Sequence, residues 1–248
     1  MEGIVTSEWR KVRTNRAAVG LLAGGLVYAV VNGVATAAFA GRDGSAPLGT
    51  GGNLGNILRG GGVAMWVVLL VGILSVTSEY RDGTIVATFL ATPRRGAVVL
   101  AKLRVTALLG LMYAVLCTIM GAAGAAPRLA ASRVPLDITD AAVVSAVVGS
   151  LAATVLFGLA GVGIGAMVRN QTAAVAGALI WFLPAENIVG SFAGWDVARW
   201  FPGQAAAAAA GAGGATLLPP SAGAALFAGY ALVAALAGTR FAVSRDVI

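Results

Sequence analysis

The chain has 248 residues, 58% hydrophobic and 11% charged, with a formal net charge of +7. A water-exposed surface ordinarily carries about 25% charged residues, so this composition excludes a soluble globular domain and makes lipid the solvent. With no histidine and one cysteine, Cys117, the chain excludes an intrachain disulfide, a cysteine metal cluster and histidine general-base chemistry.

Residues 1–16 predict an amphipathic helix. Ile4, Val5, Trp9 and Val12 recur at helical spacing, while Arg10, Lys11, Arg13 and Arg16 fall mostly elsewhere on the wheel. Such a helix rests in the headgroup region with its tryptophan at the boundary. The alternative is an unstructured basic tail that only sets orientation. Residues 17–40 are uncharged for 24 positions, beyond a signal-peptide core and long enough to span about 30 Å of hydrocarbon. Asn32 lies inside this run, either as helix–helix glue or as a gate or substrate contact.

A Gly-rich loop follows, and then further apolar runs at 60–78, 105–126, 141–168 and 221–239. A sixth run is cut by Pro184, and it crosses only if the helix continues past Glu186 toward Trp195, giving a span at about 171–195. Glu186 is the acidic residue expected within the membrane's thickness. It is either an interfacial group wetted from outside or a gate, ligand or proton site. Residues 186–220, with the alanine run 205–210, read as an external re-entrant or surface-lying element. Gly20 with Gly24, and Gly161 with Gly165, are Gly-x-x-x-Gly pairs that permit close helix approach.

Six spans place both termini on one side. With that side cytosolic, twelve of the seventeen Lys and Arg residues fall inside, as the positive-inside rule requires. This dispersed basic charge flanks apolar runs and forms no stripe with interleaved aromatics, so nucleic acid is not an expected partner. The chain has no phosphate-binding loop of the Gly-x-x-x-x-Gly-Lys-Ser/Thr type. The span serines, among them Ser75, Ser145 and Ser150, lack a histidine base.

The most charged stretch is "SEYRDGTIVATFLATPRRGAVVLAK", running from Ser78, the last residue of the second apolar run, to Lys102 in the predicted cytosolic loop 79–104. Asp82, Gly83 and Thr84 are turn chemistry with N-capping residues. Ile85, Val86, Phe89 and Leu90 make one apolar helical stripe, and Pro93 closes it. The segment predicts a two-turn amphipathic helix, either resting on lipid or set into a partner's groove.

This segment resembles the cytoplasmic loop of type-2 ABC transporter permeases. The matching residues are Glu79, Arg81, Gly83, Thr84, Phe89, Leu90, Pro93, Arg94, Arg95 and Lys102. The N-terminal helix, with Glu8, Trp9 and Lys11, resembles that family's elbow helix. The resemblance implies a single 1–248 membrane domain of all-α class. Its parts are six transmembrane helices, an elbow helix, a cytosolic coupling helix and an external re-entrant element before the last span. It implies a non-catalytic permease subunit of an ATP-driven exporter in the inner cell membrane, working as a homodimer or with a second permease. A separate ATPase subunit would bind ATP and magnesium and dock on the coupling loop, with no cofactor held by this chain. The apolar spans suit a lipophilic drug, antibiotic or lipid as substrate. The competing reading is an ion-gradient-driven secondary transporter using Glu186, against which stands the absence of an evident inverted repeat.

Overall fold

A computed structural model describes residues 2–42, 44–84, 95–212, 214 and 216–244. Among them the regular elements are all helical: α1 (Glu2–Thr14), α2 (Arg16–Phe39), α3 (Gly51–Leu58), α4 (Val63–Arg81), α5 (Arg95–Ala131), α6 (Ala141–Val168), α7 (Gln171–Ile180), α8 (Glu186–Ala193), α9 (Trp195–Ala198), α10 (Pro202–Ala209) and α11 (Pro220–Ser244). Among the described residues six stretches are long and apolar enough to cross a membrane: Arg16–Phe39, Gly51–Arg81, Gly96–Ala131, Ala141–Val168, Gln171–Ala193 and Pro220–Phe241. The chain is an all-α polytopic membrane protein.

Local chemistry sets the breaks. Asn15 accepts hydrogen bonds from the amides of Ala17 (3.0 Å) and Ala18 (3.3 Å), ending the elbow and starting α2. Asp140 does the same for α6 through Ala142 and Val143. At the α6–α7 junction Arg169 adopts a left-handed φ of 58°, and Asn170 caps the next helix through the Ala173 amide. Between α7 and α8 the chain makes a π-turn over Trp181–Ala185, with Pro184 inside it. The Glu186 amide reaches back to the Trp181 carbonyl, so the helix absorbs the proline and continues to Ala193.

Three boundaries differ from expectation. The second span begins at Gly51 instead of residue 60, because Leu54, Ile57 and Leu58 bury one face against Ala125, Leu129 and Val143. That tertiary contact overrides the weak helix propensity of a Gly-rich stretch. The third span is also longer than 105–126, running from Arg95 to Ala131. The predicted loop 79–104 is therefore helical at both ends, up to Arg81 and again from Arg95.

Helix α4 is the most enclosed span, with Val68, Leu69 and Ile73 fully buried between α6 and its other neighbours. Close approach to α6 depends on glycine. A methyl added at Gly161 would overlap the Leu69 carbonyl, and one at Gly165 would press on Ile73. Gly20 and Gly24, by contrast, face open space within the chain. An aromatic cluster completes this side, with Phe157 centred 5.3 Å from Trp66, 5.2 Å from Phe182 and 4.7 Å from Phe227.

The ends of the bundle are distinct. The end of α4, the start of α5, the α6–α7 turn and the end of α11 share the face that carries α1. There Arg169 donates to the Phe241 carbonyl at 2.6 Å and stacks over Tyr80. On the opposite face the alanine run forms a helix packed into the bundle. Ala205, Ala206, Ala208 and Ala209 are buried between α6 and α11, seated where Gly149 and Gly223 lack side chains.

Candidate functional site

Four charges from three helices meet beneath the elbow. Lys102, on the first turns of α5, is 3% exposed. Its ammonium donates to Glu8 Oε2 at 2.6 Å, Glu79 Oε1 at 2.7 Å and the Ser75 carbonyl at 2.8 Å. All three of its N–H groups are therefore satisfied. Lys11 closes the ring, donating to Glu8 Oε1 at 2.6 Å and Glu79 Oε1 at 2.7 Å. Two carboxylates face two ammoniums, so the set is formally neutral, which is the condition under which ions tolerate burial.

This pairing explains why α4 and α5 extend past their apolar windows. Glu79 and Lys102 neutralise each other inside the bundle, so neither must leave the helix to reach water. It also changes the elbow. With Glu8 and Val12 buried and Val5 and Trp9 packed on the core, α1 is docked on protein and does not merely rest among headgroups. Burial works to lower the Lys11 pKa. The hydrogen bonds from Glu79 and Glu8 and their charges outweigh that, so its pKa stands above the ordinary value.

A cavity of about 610 Å³ opens beside the ring, lined by Lys11, Thr14, Arg16, Glu79, Arg81 and Thr84. Arg81 pairs with its neighbour Asp82 at 2.9 Å in an exposed contact. Gly83 takes a left-handed φ of 68°, so the expected turn at Asp82–Thr84 is present. Of the loop residues that the sequence resemblance singled out, Ile85, Phe89, Leu90, Pro93 and Arg94 lie outside the described residues, and Arg95 opens α5.

Glu186 departs from the interfacial reading. It is 1% exposed, so it is not a wetted interfacial group. Its Oε1 accepts from the Gly203 amide at 2.9 Å and its Oε2 from the Gln204 amide at 3.2 Å. The carboxylate thus caps α10 from the start of α8, and both oxygens are engaged in holding the re-entrant helix. Two orphan amides at the end of a Pro-initiated helix are the reason an acid is tolerated there.

Asn32 is half-buried, and its Oδ1 has no hydrogen-bond partner. It lines a second cavity, of about 470 Å³, on the face opposite the elbow, together with Asn56, Arg59, Met65, Trp66 and Phe157. Arg59 was legible in the sequence only as one of the five cations outside the basic face, and nothing local marked it as a cavity residue. No cluster of three or more metal-ligating side chains exists among the described residues. No protein-family model and no curated protein matches the chain.

Proposed function

We propose that this chain is the membrane-spanning permease subunit of an ATP-driven exporter of the type-2 ABC kind, coupled to a separate ATPase chain. The observation that carries the reading is the Glu8–Lys11–Glu79–Lys102 ring. It ties the elbow to both spans that flank residues 85–94, at the positions the sequence resemblance singles out. A partner pushing on that segment would move α1, α4 and α5 together, because separating them strands a buried charge. The spans, the elbow's basic face and the re-entrant α10 fit the same reading, with the elbow face cytosolic. The permease binds neither nucleotide nor metal; two permeases pair with two ATPase subunits, and the substrate is a lipophilic drug, antibiotic or lipid. Against the secondary-transport alternative, both Glu186 oxygens already accept backbone hydrogen bonds that cap α10.

The test is Phe89→Asp. An unpaired carboxylate in an apolar docking groove costs several kcal/mol, so the variant should reach the membrane normally but fail to co-purify with its ATPase subunit, and ATP-driven transport in vesicles should vanish. Ala97→Ser should change little. Transport that persists in Phe89→Asp, or that follows an ion gradient without ATP, would overturn the reading.

A further inference from the structure

The cavity on the face opposite the elbow has a chemistry that the coupling reading does not use. One wall is polar: Asn32 from α2, with Asn56 and Arg59 from the end of α3 onward. The facing wall is Met65 and Trp66 of α4 and Phe157 of α6. At about 470 Å³ it lies within the range of cavities that hold small organic ligands.

Arg59 is half-buried and forms no ion pair among the described residues. Its guanidinium donates to the Asn56 side-chain oxygen and, at 3.3 Å, to the Ala210 carbonyl. A guanidinium carries five N–H donors, so most of its capacity is uncommitted. Behind Gly203, on the cavity's wall, the Glu186 carboxylate is already engaged by two backbone amides. A fixed cation at the edge of a low-dielectric space favours an incoming anion. Asn32 contributes to the same wall, although its Oδ1, which has no partner, is closed off from the open space. The aromatic and thioether wall matches a hydrocarbon body.

We infer that this cavity binds an anionic amphiphile, with the anion at Arg59 and the first carbons of the chain against Met65, Trp66 and Phe157. A membrane phospholipid and a dissolved single-chain lipid share this chemistry. The assignment rests on the cavity itself, and its test needs no ATPase and no transport, so it stands or falls apart from the coupling reading.

Trp66 is the reporter. The other four tryptophans, Trp9, Trp181, Trp195 and Trp200, are changed to Phe, and the protein is placed in phosphatidylcholine nanodiscs. Brominated phosphatidylglycerol, at about a tenth of the lipid, should quench Trp66 at least twofold more than equal brominated phosphatidylcholine. Brominated lysophosphatidylglycerol added from solution tests the dissolved source, and excess quenching by either compound supports the site and identifies the supply. Arg59→Gln should abolish the excess and Arg59→Lys should keep most of it. Should Arg59→Gln not fold, Asn56→Leu, which removes the acceptor that orients the guanidinium, should cut the excess by at least half. Equal quenching by anionic and zwitterionic lipid in the parent protein would overturn the inference. So would an undiminished excess in a well-folded Arg59→Gln variant.

Discussion

Lys102 shows how much can rest on one side chain. Replacing it with methionine preserves the apolar stem but leaves two buried carboxylates, Glu8 and Glu79, with the single half-exposed ammonium of Lys11 between them. Breaking a buried ion pair from one side commonly costs about 3–5 kcal/mol. Lys102→Met should therefore lower the melting temperature of the detergent-solubilised protein by many degrees. Adding Glu79→Gln should recover part of the loss by removing the uncompensated charge. Lys11→Met should cost less, about 1 kcal/mol or under, because Lys11 is 42% exposed and solvent screens its pairs. Its pH dependence follows from its raised pKa. The Lys11 contribution is fully present below the ordinary lysine value of 10.5 and is lost as pH rises through the higher folded value. The stability gap between parent and Lys11→Met should thus be flat from neutral pH to about 10 and close only above that, as read by melts in a pH series.

At the scale of elements, the re-entrant α10 depends on a neighbour more than on its own sequence. An alanine-rich stretch of eight residues has good propensity but is too short to hold a helix alone. What holds it is burial against α6 and α11 and the Glu186 cap at its start. Glu186→Gln keeps one acceptor but turns an NH₂ group toward a backbone N–H. Leaving a buried donor unsatisfied costs about 1–3 kcal/mol. The expected result is faster protease cleavage between α9 and α10 and a lower melting temperature, with transport reduced in proportion to folded protein. A complete, selective loss of transport in a variant of normal stability would return Glu186 to the chemistry of the path. The same logic applies to α4 and α6, where Gly161→Val should block packing, since its branches would meet the Leu69 backbone.

For the whole molecule the decisive property is sidedness. Ser45 and Ser132 are exposed on the face opposite the elbow, and Thr84 is exposed on the elbow face. Cys117 is buried, so introduced cysteines can be read with Cys117 itself replaced. With the elbow face cytosolic, a membrane-impermeant thiol reagent should label Ser45→Cys and Ser132→Cys in intact cells, and Thr84→Cys only after permeabilisation. The reverse pattern would invert the orientation while leaving the bundle unchanged.

The six apolar helices, the all-α class, the N-terminal helix and the turn at Asp82–Thr84 were legible from the chain alone. Hydropathy and turn chemistry are properties of a residue and its near neighbours, and a lipid solvent acts on them directly. Each member of the charged ring could be singled out individually. That Lys102 binds Glu8, 94 positions away, could not be derived, because a pairing belongs to two helices at once. The same holds for Glu186, whose partners are backbone amides and carry no side-chain signature. It holds for Arg59, whose meaning depends on a cavity that exists only once α2, α4, α6 and α10 are packed. The helix ends were misjudged for a related reason. Where a charged residue must leave the membrane is a local question only until another helix supplies its counter-charge, and here the tertiary structure supplied it.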